Sequence, residues 1–88
     1  MSEMLIQPDE LRQSADEFSK AGKETAAMLK RLDDSTGDLE KKWAGAAQQV
    51  FFKQYKDLRQ YLEAFSTLLG NVALEMQAMA ERFEKADR

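Results

Sequence analysis

Cysteine and histidine are both absent from this 88-residue sequence. Without cysteine the chain can form neither a disulfide nor a thiolate–metal site, and without histidine it lacks the usual general base and the commonest zinc ligand. It also has no nucleophile elbow, phosphate-binding glycine loop or di-iron motif. We therefore predict a protein that is not an enzyme, with no catalytic residue, metal or cofactor.

Long apolar runs and blocks of basic residues are missing as well. The 16 acidic and 13 basic side chains give a net charge of −3 and are interspersed, so nucleic acid is not an expected partner. No apolar run approaches the ~18 residues that span a bilayer, and residues 1–10 lack the pattern of a cleaved signal peptide. A membrane partner is therefore not expected, and any export would proceed without a cleaved signal.

Two charged stretches could be mistaken for binding sites. The acidic run at residues 32–40 has Leu32 where a calcium loop requires a carboxylate. The basic residues Lys53, Lys56 and Arg59 are interrupted by acidic ones. We interpret both stretches as solvated helix faces and assign them no role.

The sequence has only one proline and four glycines, which favours helices over a sheet with many turns. Apolar and small residues recur at alternating spacings of four and three in both halves. The first seam is Leu11, Ala15, Phe18, Gly22, Thr25, Leu29, Leu32, Thr36, Leu39 and Trp43, and the second is Phe51, Tyr55, Leu58, Leu62, Phe65, Leu69, Val72, Met76, Met79 and Phe83. Two such seams predict two α-helices, at about 8–42 and 47–86, packed at a shallow angle.

The stretch KKWAGAAQQ between the seams predicts a turn at about 43–46. Gly45 can take the left-handed conformation that commonly closes a helix. The predicted fold is thus a single all-α domain, an antiparallel two-helix hairpin with a Trp-x-Gly turn. Counting helical rise from this turn places residue 8 opposite about residue 81, so RFEKADR at the C-terminus is expected to project. Gly22 lies on the first seam, which favours a close approach of the helices.

Apolar residues outside the seams predict a second interface. Phe52, Tyr61 and Leu68 would lie on the outer face of an isolated hairpin. Packing a second hairpin against them would give a dimeric four-helix bundle. These three residues are our candidates for the dimer interface.

These features together resemble a known family. A cysteine-free helical hairpin with Trp43-Ala44-Gly45 at its centre and a small residue at Ala47 is similar to the WXG family, the early-secreted-antigenic-target-like (ESAT-like) substrates of bacterial type VII secretion. The resemblance implies a homodimer or a heterodimer with a paralogous Trp-x-Gly protein. It also implies export in the folded state, without a cleaved signal peptide.

The resemblance further implies an export signal. Many members carry a C-terminal Tyr-x-x-x-Asp/Glu motif that a membrane-bound FtsK/SpoIIIE-type ATPase reads. This chain has Phe83 and Asp87 at the matching positions, with phenylalanine in place of tyrosine. In an antiparallel dimer the turn at Trp43 and Gly45 would lie near the partner's C-terminus, and the two would form one composite export face. Trp43 can also serve by closing the open end of the core.

Three functions remain open at the level of sequence. The first is a secreted, non-enzymatic carrier or effector, cytoplasmic before export. The second is a cytoplasmic helical adapter or chaperone that pairs with a larger secreted toxin. The third is a membrane-active helical protein, which the interspersed charge disfavours.

Overall fold

The computed structural model describes residues 5–86, which form two long helices joined by a short turn. Helix α1 spans Pro8–Lys42 and helix α2 spans Ala46–Ala86. The two pack antiparallel in an elongated molecule of 65 × 21 × 16 Å. The described residues contain no strand. The predicted all-α hairpin is confirmed.

The ends of α1 follow from local chemistry. Gln7 has an extended backbone, and its carbonyl oxygen accepts hydrogen bonds from the backbone N–H groups of Glu10 and Leu11 at 3.0 and 3.3 Å. Pro8 has no N–H to satisfy, so the first helical position suits it. Acidic residues in the first turn and lysines in the last complement the helix dipole. The helix runs unbroken through residues 33–38, where serine, threonine and glycine weaken helix formation.

Contact between the helices uses part of each predicted seam. The buried positions of α1 are Leu11, Ala15, Gly22, Leu29 and Thr36, all members of the first seam. The buried positions of α2 are Ala73 and Ala80, each one residue beyond a predicted seam position. Leu58 and Phe65 of the second seam are exposed, and so are Phe18, Leu39 and Trp43 of the first seam. The side of α2 that faces α1 is therefore centred one residue beyond the predicted seam, on the row that contains Ala73 and Ala80.

Gly22 explains why small residues face inward. The Ser66 hydroxyl donates a hydrogen bond of 2.8 Å to the Gly22 carbonyl oxygen. A Cβ atom on Gly22 would lie 3.2 Å from the Ser66 carbonyl oxygen and 3.5 Å from the Cβ of Leu69. The predicted close approach at Gly22 is confirmed. At this point of contact a side chain on residue 22 would press on the backbone of α2, and the small residues Ala73 and Ala80 of α2 are buried against α1.

Two residues of the C-terminal segment that was predicted to project make contacts within the hairpin. Arg12 near the start of α1 forms an ion pair and a hydrogen bond with Glu84, and Phe83 is half-buried. Residues 83 and 84 therefore lie close enough to the start of α1 for their side chains to contact it, and residues 87 and 88 lie outside the described residues.

Candidate functional site

The Trp-x-Gly turn forms the tip of the hairpin. Trp43 ends α1 with φ −120° and ψ 131°, and Gly45 has φ +106°, a value that residues with a side chain rarely adopt. The Gly45 carbonyl oxygen accepts a hydrogen bond of 3.3 Å from the N–H of Gln49. Gly45 thus has the expected positive φ but opens α2, whereas the sequence predicted that it would close α1.

Four aromatic side chains pack together just behind the tip. The ring of Trp43 lies 5.4 Å from that of Phe51 and 6.3 Å from that of Phe52. Phe51 meets Phe52 edge to face at 5.1 Å and stacks on Tyr55 at 6.4 Å with an angle of 8° between the rings. Such ring pairs each stabilise by about 0.5–1.5 kcal/mol beyond simple burial. We call Trp43, Phe51, Phe52 and Tyr55 the tip cluster.

The tip is open to solvent despite this cluster. All residues from 38 to 47 are exposed, and the Trp43 residue itself is 37% exposed. Its ring is therefore packed on the side facing Phe51 and Phe52 and accessible elsewhere. Trp43 thus covers part of the aromatic residues at this end of the hairpin and keeps part of its own surface in solvent.

A polar network joins α1 to α2 beside the tip cluster. The Tyr55 hydroxyl donates to Oδ1 of Asp33 at 2.5 Å, and the Arg59 guanidinium donates to both carboxylate oxygens at 3.0 to 3.1 Å. Arg59 also pairs with Glu63. We call Asp33, Tyr55, Arg59 and Glu63 the polar network. Arg59 was predicted to have no role, and the structure corrects that prediction.

The polar network shifts the pKa values of its members. The hydrogen bonds from Arg59 and then Tyr55 hold the pKa of Asp33 below its usual value. Burial, followed by the neighbouring Asp33 carboxylate, raises the pKa of the Tyr55 phenol. Asp33 is therefore ionised and Tyr55 neutral at physiological pH. The sequence signal for this network was weak. Asp33 and Arg59 each follow a seam residue by one position, but their pairing depends on the register between helices.

A stripe of large apolar residues runs along the outside of α2. Leu58, Tyr61, Phe65 and Leu68 recur at helical spacing and are 47–76% exposed. We call these four residues the outer stripe. It includes the predicted interface residues Tyr61 and Leu68. Phe52 lies elsewhere, in the tip cluster. It precedes Tyr61 by nine residues, which is about two and a half helical turns, so the two side chains lie on opposite sides of α2.

Helix α1 extends the apolar surface beside the outer stripe. Phe18 and Met28 are 36% and 37% exposed. They lie on the side of α1 away from Arg12 and Asp33, whose ion pairs with α2 mark the other face of the hairpin. Because the helices are antiparallel, this side of α1 adjoins the outer stripe of α2. One face of the hairpin is thus apolar, and the opposite face carries the ion pairs between the helices.

The two parts of the predicted export signal fall in different places. Phe83 lies half-buried at the end of the hairpin distant from Trp43. Asp87 lies outside the described residues. One chain therefore does not bring Trp43 and Phe83 together. Between residues 5 and 86, no group of three or more acidic side chains could hold a metal ion, and no helix in that range is apolar over a length that would cross a bilayer.

The sequence and the hairpin both match known proteins. Residues 3–88 match the family model WXG100, described as proteins of 100 residues with WXG. The chain belongs to the WXG100 family. The resemblance inferred from the Trp-x-Gly turn is thereby confirmed, and in this WXG100 protein the motif residues Trp43, Ala44 and Gly45 are the whole link between α1 and α2.

Individual members of the family are similar over nearly their full length. The protein YukE of Bacillus subtilis (strain 168) is 29% identical over 83 residues, which cover 94% of this chain and 86% of YukE. Type VII secretion system extracellular protein A of Staphylococcus aureus (strain USA300) is 22% identical over 88 residues, covering 100% and 91%. The crystal structure of a secreted protein EsxB from Bacillus anthracis str. Sterne superposes with a TM-score of 0.86 at 28% identity, covering 100% of both chains.

Proposed function

We propose that this WXG100 protein is a non-enzymatic substrate of type VII secretion. It leaves the cell as a folded dimer, without a cleaved signal peptide, and acts outside as a carrier or effector. The observation that carries the proposal is the exposed Trp-x-Gly tip on a hairpin whose relatives include a type VII secretion extracellular protein. The sequence offers no catalytic constellation that would favour an enzyme instead.

The apolar face of the hairpin is the reason for proposing a dimer. The outer stripe of α2, with Phe18 and Met28 of α1, places six exposed large apolar residues on one side of the hairpin, a feature typical of protein interaction surfaces. A second copy, or a paralogous Trp-x-Gly protein, would cover this face and complete a four-helix bundle. The ion-paired face would remain in solvent.

The export face is proposed to combine two ends of the dimer. In an antiparallel dimer the tip of one hairpin, with Trp43 and Gly45, lies near the C-terminal residues Phe83 and Asp87 of the other. An exposed aromatic ring beside an acidic helix end can dock in a receptor groove. The proposed receptor is a secretion ATPase of the FtsK/SpoIIIE type.

The test of this export face is secretion by a host with a working type VII system. We expect Asp87→Asn to abolish appearance in the culture medium while helix content stays unchanged. Phe83→Tyr restores the residue usual in the family and should preserve export. Phe83→Ala tests the ring, with circular dichroism as a check because Phe83 is half-buried. Export of Asp87→Asn at the wild-type rate would contradict the proposed signal.

The same assay addresses the adapter function. In the adapter function, the apolar face binds a helical domain of a larger secreted protein instead of a second copy of this chain. In that case the chain would reach the medium only when the larger protein is co-expressed. Export of the chain expressed without such a protein would exclude the adapter.

A further inference from the structure

The orientation of Trp43 depends on a short series of ring contacts. Its ring lies 5.4 Å from Phe51, and Phe51 in turn stacks almost parallel on Tyr55. Phe51 and Tyr55 belong to the same face of α2, one turn apart. Trp43 itself lies outside both helices. The position of the Tyr55 ring therefore influences how Phe51 supports the tryptophan.

Asp33 fixes the Tyr55 ring from the opposite helix. The phenol hydroxyl donates to the Asp33 carboxylate at 2.5 Å, and Arg59 holds the same carboxylate through both oxygens. Arg59 is itself held by Glu63 one turn later. A carboxylate gripped by two donors has little rotational freedom, so Tyr55 is held at its hydroxyl as well as at its ring face.

Besides the tip cluster, in which Phe52 also contacts Trp43 at 6.3 Å, few residues are buried at this end of the hairpin. Residues 38–47 are all exposed, and Thr36 is the last buried residue of α1 before the turn. The polar network lies at the boundary between the packed body of the hairpin and its exposed tip. The hydrogen bonds of Asp33 with Tyr55 and Arg59 therefore join α1 to α2 next to the exposed tip.

We propose that Asp33 is a positioning residue for Trp43, acting through Tyr55 and Phe51. It does not touch the tryptophan. It holds the Tyr55 ring in the orientation on which Phe51 stacks, and Phe51 supports the indole at the tip. The coupling is a property of the hairpin alone, whereas its consequence for export rests on the proposed function.

Trp43 is the only tryptophan, so its fluorescence reports the tip directly. We expect Asp33→Ala to shift the Trp43 emission to longer wavelength and to increase quenching by acrylamide. Tyr55→Phe removes only the hydroxyl, so we expect a smaller shift of the emission wavelength and a smaller increase in quenching than in Asp33→Ala. Asp33→Asn keeps an oxygen that accepts from Tyr55 and should restore part of the wild-type signal.

Two control variants separate positioning from general loosening. Asp34→Ala removes the carboxylate of the adjacent residue, which is exposed, and should leave the Trp43 emission unchanged. Arg12→Gln breaks the ion pair with Glu84 between the same helices at the far end. It should also leave the Trp43 emission unchanged. All variants are compared at equal helix content and equal oligomeric state. An unchanged Trp43 signal in Asp33→Ala, or an equal shift in Arg12→Gln, would overturn the proposal.

Secretion of the same variants distinguishes this inference from the proposed function. If both hold, Asp33→Ala alters the fluorescence and reduces export, while Asp34→Ala does neither. Altered fluorescence with wild-type export would support the positioning role of Asp33 and contradict the role of Trp43 in export. Reduced export with unaltered fluorescence would contradict the positioning role.

Discussion

At the scale of the residue, two glycines suit their positions in the hairpin for different physical reasons. A Cβ atom at Gly22 would lie 3.2 Å from the Ser66 carbonyl oxygen, so the backbone of α2 would have to move by a few tenths of an ångström. Gly45 has open space around it but a backbone φ of +106°. Space limits the first position and backbone conformation limits the second. Substitutions at the two sites should therefore fail through different mechanisms.

Replacing Gly45 by alanine tests the backbone requirement. The added Cβ makes the positive φ unfavourable, and we expect the free energy of unfolding to fall by about 1–2 kcal/mol. Gly37→Ala is the matched control, since Gly37 lies within α1 and its Cβ would meet nothing within 4 Å. That change should raise stability by about 0.5–1 kcal/mol. Urea denaturation measures both, and a Gly45→Ala protein as stable as wild type would contradict the account.

Asp33 makes part of the stability depend on pH. Its pKa is lower in the folded protein than in the unfolded chain because Arg59 and Tyr55 of α2 bind the carboxylate. This contribution is fully present above the unfolded pKa of about 3.9 and is lost as pH falls through the folded pKa. The stability difference between wild type and Asp33→Asn should thus narrow below about pH 4. A difference that stays constant down to pH 2, measured by thermal melts, would contradict the pairing.

At the scale of the element, one side of each helix packs against the other helix of the hairpin, and another side is left for a second chain. Helix α2 turns Ala73 and Ala80 towards α1 and leaves the larger residues of the outer stripe exposed. Small residues allow the two helices of one hairpin to approach closely. The bulky residues remain available for a partner, where they can contribute more buried area.

Aspartate at Leu68 or Phe65 tests the assignment of the outer stripe. A charge at either position would be buried in the proposed dimer without a partner, so we expect dissociation to shift to higher protein concentration. The control is Leu74→Asp. Leu74 is 65% exposed but lies on a different side of α2. Analytical ultracentrifugation should show a weakened dimer for Leu68→Asp and Phe65→Asp only. Equal weakening in all three would mean that the stripe is not the interface.

The helices were predictable from the sequence, but the exact face of α2 was not. Spacings of four and three fit both the row containing Leu58 and Phe65 and the adjacent row containing Arg59 and Ser66. Hydrophobicity favours the first row, whereas the close approach at Gly22 selects the second. The polar network was missed for the same reason. Which of its residues meet depends on the register between the two helices, and the spacing of residues within each helix does not give that register.

At the scale of the whole molecule, a single hairpin has a small core. Its buried apolar residues are Leu11, Ala15, Leu29, Ala73 and Ala80, and no large side chain among the described residues is fully buried. A two-helix unit of this kind removes too little apolar surface from water to be very stable alone. Folding and association are therefore expected to be coupled.

Coupled folding and association make the melting temperature depend on protein concentration. Mass action favours the folded dimer as concentration rises, so we expect a higher Tm at higher concentration. Leu68→Asp should lower Tm most at high concentration, where the wild-type chain gains most from association. Circular dichroism melts over a hundredfold range of concentration measure this. A Tm independent of concentration would show that the hairpin is stable without a partner.

The central claim is that this WXG100 protein is itself carried out of the cell by type VII secretion. The most direct measurement is the amount of wild-type chain in the culture medium of its native host, with the secretion ATPase present or deleted. A cytoplasmic marker protein controls for lysis. We predict that the chain accumulates in the medium of the intact strain and is retained in the cells of the deletion strain. Equal amounts in both media, or retention in both strains, would contradict the claim.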